Sequence, residues 1–114
     1  MILTFRVWNS EMKEIEVFKT YEEVSELFLA LSADDGFYSV MQSTGLFDKN
    51  NKEIFEGDIV RVFDSLYTIF YDSEKGSYRL KPHDERWTVD YMSNFSHGGN
   101  FEVVGNIYED KEYL

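Results

Sequence analysis

The chain contains no cysteine. That absence excludes a disulfide framework, a thiolate metal site and a thiol nucleophile together. Proline occurs once, at Pro82, so chain reversal falls mainly to glycine, asparagine and aspartate. No apolar run approaches the roughly 20 residues that a membrane-spanning helix requires. The first seven residues are apolar but short and interrupted by Arg6, unlike a signal peptide. Basic residues are scarce, 11 Lys and Arg against 22 Asp and Glu, for a formal charge of −11. Long contacts with nucleic-acid phosphates need a positive face, so direct nucleic-acid binding is not expected. These absences together point to a cytoplasmic protein with no membrane association, whose acidic surface serves solubility or, on a sharper reading, seeks a basic partner.

Aromatic residues, by contrast, make up 18% of the 114 residues. They favour strands and bring large buried areas, which helps one small domain to close a core. Residues 2–8 alternate as a strand, with Leu3, Phe5 and Val7 on one face and Thr4 and Arg6 on the other. Asn9-Ser10-Glu11 breaks it, and residues 14–18 return as a second strand, giving an N-terminal hairpin. One helix follows, over about residues 21–33. Thr20 is its N-cap, Glu23 completes a capping box, and Glu22, Glu23 and Glu26 sit where the helix dipole favours negative charge. Val24, Leu27, Phe28 and Leu31 form an apolar stripe, expected to pack on the barrel that follows.

From Phe37 onward the chain reads as short strands. The stretch MQSTGLFDKNNKEIFEGDIV, residues 41–60, is a turn-punctuated β-unit. Its tip is Asp48-Lys49-Asn50-Asn51, because Asn and Asp tolerate positive φ and bond their own backbone. Gly57 suits a bend into the next strand and Gly105 a bulge in the last. Residues 59–63, 66–71, 78–80 and 101–108 supply further strands, while residues 86–95 have strand composition without clear periodicity.

Residues 41–60, together with Phe5-Arg6-Val7-Trp8 and the block FEVVGNIYE at 101–109, resemble the YopX family of phage and prophage proteins. The three blocks are collinear and span most of the chain. The resemblance implies a single YopX-like domain over residues 1–114, mainly β, with a small SH3-like barrel at 37–114 and a hairpin-plus-helix elaboration at 1–36. It implies phage origin and carries no established activity. Two departures stand out: Asn51 where Gly is expected, and Asp110-Lys111 where Asn-Pro is expected. The first preserves the hairpin, since Asn also enters the left-handed region. The second is expected to loosen the C-terminal tail.

Catalytic signals are thin. His83-Asp84-Glu85 and His97 are chemically fit to ligate a metal, but their spacing matches no metal motif. Asp58, Asp64, Asp72 and Glu74 offer carboxylates for acid–base work, yet nothing in the sequence sets two of them together. There is no Gly-x-Ser-x-Gly elbow and no glycine-rich phosphate loop ending in Lys-Ser or Lys-Thr. The expectation is a non-enzymatic protein without cofactor or metal, forming a homo-oligomer and binding a host protein. Its partner-binding residues are expected among Glu11, Glu14, Glu16, Glu22, Glu23 and Glu26, which would mimic nucleic acid, and the aromatics Trp87 and Tyr91. The alternative is an oligomeric binder of a small ligand such as a nucleotide. Trp8 would line its pocket, and Arg79, Lys81 or Arg86 would meet the phosphate.

Overall fold

The structure, a computed structural model, describes residues 4–32, 36–84, 86, 89–91 and 100–114. Its contacts divide the chain into two units, Met1–Ser43 and Thr44–Leu114.

In the first unit, β1 (Phe5–Asn9) pairs antiparallel with β2 (Glu14–Phe18) on one side and with β3 (Tyr38–Phe47) on the other. Asn9 closes the β1–β2 turn, its Oδ1 accepting from the Glu11 and Met12 N–H groups at 3.0 and 3.1 Å. Lys13 completes the reversal at a φ of 56°. The register sets Phe5 opposite Phe18, Val7 opposite Glu16 and Asn9 opposite Glu14, all on one face. Helix α1 (Tyr21–Leu31) opens with the predicted capping box and ends at Leu31, with Ser32 as its C-cap. Within its own unit the stripe packs on the hairpin: Leu27 is buried and the Phe28 ring meets Phe5 edge-on at 6.0 Å. The other face of β1 also departs from the polar reading. Arg6 stands opposite Met41, is buried, and donates from Nε to the Met41 sulfur at 3.3 Å.

Strand β3 runs from the first unit into the second, and its residues as far as Gln42 pair with β1. In the second unit, β3 turns through residues 48–52 into β4 (Glu53–Phe55). Strands β5 (Asp58–Val62), β6 (Ser65–Asp72), β7 (Ser77–Pro82) and β8 (Asp90–Tyr91) form an antiparallel meander. The last strand, β9 (Glu102–Asn106), returns to the free side of β5, for the order β8-β7-β6-β5-β9. Ile54, Val60, Val62, Tyr67, Ile69, Leu80 and Phe101 make the core, with Leu46, Tyr78 and Val103 packed against it. The class is mainly β with one α-helix among the described residues, and a curled sheet gives the half-barrel of an SH3-like fold.

The turns obey local chemistry. Asn51 takes the left-handed conformation at φ 63°, and Gly57 bends the chain between β4 and β5 at φ 87°. Gly57 donates its N–H to the Ile69 carbonyl at 2.8 Å and accepts from the Ile107 N–H at 2.9 Å, tying the β4–β5 turn to β6 and to the residue that follows β9. Asp58, fully buried, takes the Phe55 N–H on its Oδ2 at 2.7 Å. The β5–β9 register slips between Ile59 and Val60, opposite Gly105 and Val103, which is the expected bulge.

The tail is anchored where loosening was expected. Asp110 Oδ2 accepts from the Asn106 N–H at 3.0 Å, and the buried Asn106 accepts on Oδ1 from the Tyr108 and Glu109 N–H groups at 3.0 and 2.9 Å. Aspartate here supplies the acceptor that closes the turn. A Cβ on Gly105 would stand 2.6 Å from Asp110 Oδ2. Gly105→Ala should therefore push Asp110 off the Asn106 N–H and destabilise by about 2 kcal/mol. Urea denaturation measures that loss, and an unchanged midpoint would show that Asp110 does not hold this turn.

One turn residue is locally unfavourable. Phe63 forms the β5–β6 turn with Asp64, is 79% exposed, and sits at a φ of 55°. A bulky side chain there carries strain that glycine avoids. Phe63→Gly is expected to raise stability by about 1 kcal/mol, read as a higher melting temperature. A lower one would show that the exposed ring stabilises the turn.

Candidate functional site

In the first unit, α1 lies over the hairpin without filling the space at its far end. A groove of about 270 Å³ remains there. Val7, Phe18, Leu27, Ala30 and Leu31 give it apolar walls, Asn9 and Tyr38 stand beside them, and Glu14, Glu16 and Glu26 bring three carboxylates to its lining. The placement follows from two periodicities. Positions 14, 16 and 18 of β2 share the helix-bearing face, and Glu26 is one residue from the buried Leu27 on α1. All three glutamates are exposed, no ion pair among the described residues involves them, and no described lining residue is cationic.

The other three candidate glutamates lie outside the lining of the groove. Glu23 is absorbed by the cap: Oε1 accepts from the Thr20 N–H at 3.1 Å, a bond that holds its carboxyl below the usual range. Glu22 is exposed one turn before Glu26, and Glu11 is exposed in the β1–β2 turn. Sequence reasoning found these acids as a composition. It missed the groove, because the space left between helix and hairpin depends on packing and not on any motif.

The cations proposed for the alternative reading lie in the second unit and are mostly engaged. Arg79 Nη1 donates to Asp72 Oδ2 at 2.9 Å in a largely buried pair, while Nη2 reaches the Val89 carbonyl at 3.3 Å. That guanidinium, with the Glu74 and Lys75 N–H groups, holds the Asp72 carboxyl below its ordinary pKa. Arg86 clasps Asp84 through Nε and Nη2, with a closest approach of 2.6 Å, and lowers the Asp84 pKa to about 2. Lys81 is exposed. Trp8, in the first unit, is half-buried on the Arg6 face, away from the groove. Tyr91 stands opposite Arg79 in β8, and Trp87 lies outside the described residues. Tyr71 and Tyr78 stack edge-on at 5.2 Å, with Tyr71 exposed and Tyr78 half-buried, while Tyr67 belongs to the core.

Metal and acid–base candidates do not gather. His83 Nε2 lies 2.7 Å from the Thr68 hydroxyl, whereas its neighbour Asp84 turns to Arg86. Glu85 and His97 lie outside the described residues. No group of three or more His, Asp or Glu positioned for a metal occurs among the described residues. Asp58 and Asp72 are each committed to a turn, and Asp64 and Glu74 are exposed in hairpin loops. Among the described residues no helix is long and apolar enough to cross a membrane.

Fold and site define a mainly β, SH3-like protein with an acidic groove in its hairpin-and-helix unit. The chain belongs to the YopX protein family, whose profile matches residues 4–114. It is similar to the crystal structure of protein EF1440 from Enterococcus faecalis, with a TM-score of 0.62 and 25% identity, covering 100% of this chain and 99% of that one. Among curated proteins, none matches.

Proposed function

We propose that this protein is a non-enzymatic binding module whose acidic groove takes a basic protein. Its role is then that of a phage-encoded accessory protein inhibiting a bacterial nucleic-acid-binding protein by presenting carboxylates to the surface that receives phosphates. The observation that carries this reading is the set of three unpaired glutamates, Glu14, Glu16 and Glu26, over an apolar floor. The surrounding charge supports it. Residues 1–43 hold eight acidic side chains against three basic ones, and Arg6 among the three is buried. An apolar floor adds contact area, and the carboxylates select the sign of the partner.

Affinity capture from bacterial lysate tests the proposal. A basic nucleic-acid-binding protein should be retained at low salt, released at high salt and displaced by added duplex DNA. Retention that ignores both salt and DNA would overturn the mimicry.

A further inference from the structure

Strand β2 is an edge. In its sheet it pairs only with β1 among the described residues, and its five positions are exposed or half-buried. An edge strand presents backbone N–H and C=O groups that a second extended chain can pair with. The two faces of this edge differ sharply. Glu14 and Glu16 flank the groove on the helix side, whereas Ile15 and Val17 form an apolar pair on the other, with Val17 40% exposed.

We infer that β2 receives an extended segment of a protein partner as an added strand, one that alternates basic and aliphatic residues. This rests on the proposed function and specifies how the basic partner is held. In such a ladder the lysine or arginine side chains lie beside Glu14 and Glu16, with their aliphatic stems toward the groove. The intervening aliphatic residues cover Ile15 and Val17. Opposite charges and apolar pairs across adjacent strands are both favourable, so the two faces select one pattern. A second copy of this chain is the poorer occupant. Its β2, centred antiparallel on the first, sets Glu16 against Glu16, and like charges directly opposite are unfavourable.

The test uses the full chain and a capped, fluorescent peptide alternating lysine and valine. A second peptide carries the same side chains but is N-methylated at alternate residues along one edge, which removes its pairing N–H groups and leaves its charge. Fluorescence anisotropy at low salt should show the first binding at least about tenfold more tightly than the second. Glu14→Gln with Glu16→Gln should weaken the first peptide by a similar factor, and Glu22→Gln should not. Equal binding of the two peptides would overturn strand addition while leaving an acidic docking groove intact. Failure of both to bind would overturn strand addition and the basic-partner reading together. Light scattering that gives twice the monomer mass, with no peptide bound, would assign the edge to a second copy instead.

Discussion

Replacing Asp48 with alanine is expected to destabilise the second unit by about 3 kcal/mol, the largest stability loss among the changes considered. Asp48 is only 6% exposed, yet its carboxylate takes three backbone donors. Oδ1 accepts from the Asn50 and Lys52 N–H groups at 2.9 and 2.8 Å, and Oδ2 accepts from the Val103 N–H at 2.9 Å. One side chain thus shapes the β3–β4 turn and ties it to β9, across 55 residues of sequence. The nearby Lys49–Glu102 ion pair, at 3.3 Å, joins the same elements, but Lys49 is 52% exposed. An ion pair so solvated contributes less than about 1 kcal/mol, so the buried carboxylate decides the outcome.

The same site gives a pH signature. Burial alone would raise the Asp48 pKa, but the N–H donors of Val103, Lys52 and Asn50, with the Lys52 charge, outweigh it and hold the carboxyl below its ordinary value. A carboxyl depressed in the folded state contributes fully above its unfolded pKa of about 3.9 and loses that contribution as pH falls through the lower folded value. Wild-type stability should therefore fall steeply below about pH 4. Asp48→Ala should show a shallower fall. Asp48→Asn should be intermediate at neutral pH, because its amide cannot accept from both Val103 and the Asn50–Lys52 pair. Urea denaturation followed by circular dichroism across pH measures all three, and parallel acid profiles for wild type and Asp48→Ala would refute the assignment.

Replacing Glu14, Glu16 and Glu26 together with glutamine should weaken capture of the basic partner by about 30-fold or more at low salt. The change keeps side-chain volume and removes three charges from one groove, so the fold should persist. Melting temperature should move little, because none of the three makes an ion pair among the described residues. The salt dependence of binding should shrink with the charge, the feature that separates lost attraction from lost shape. A triple variant that binds as wild type does would remove the groove from the interaction. Glu11→Gln is the matched control, being exposed in the β1–β2 turn and outside the groove lining.

Local sequence rules were sufficient for several elements. The capping box at Thr20 and Glu23 lies within four residues, so no distant partner is needed to read it. Asn51 and Gly57 are legible for the same reason, since positive φ is a property of the residue and its turn. The bulge at Gly105 was legible as a glycine interrupting an apolar strand, but its close neighbour was not. Asp110 occupies the space that a Cβ at that position would need and bonds Asn106, an arrangement that departs from the expected Asn-Pro ending and nonetheless fixes the tail.

Long-range choices were not legible. Arg6 reads as the polar side of an alternating strand, but β3 places Met41 against it, and the pair is buried together. The apolar stripe of α1 states that the helix must pack without stating on what; Phe5 and the hairpin answer that. Arg79 reads as a free cation until the β6–β7 hairpin sets Asp72 beside it, and Arg86 until a local turn closes it on Asp84, two residues away. By itself the sequence determined the strand-rich class, the single helix, the turn residues and the acidic sign of the surface. These depend on backbone preference, residue period and charge, all local or additive. Only the tertiary structure decided which acids share a groove, which strand is left as an edge and which charges are already paired. Those outcomes depend on turn geometry, register and packing, not composition, which set the distances between side chains.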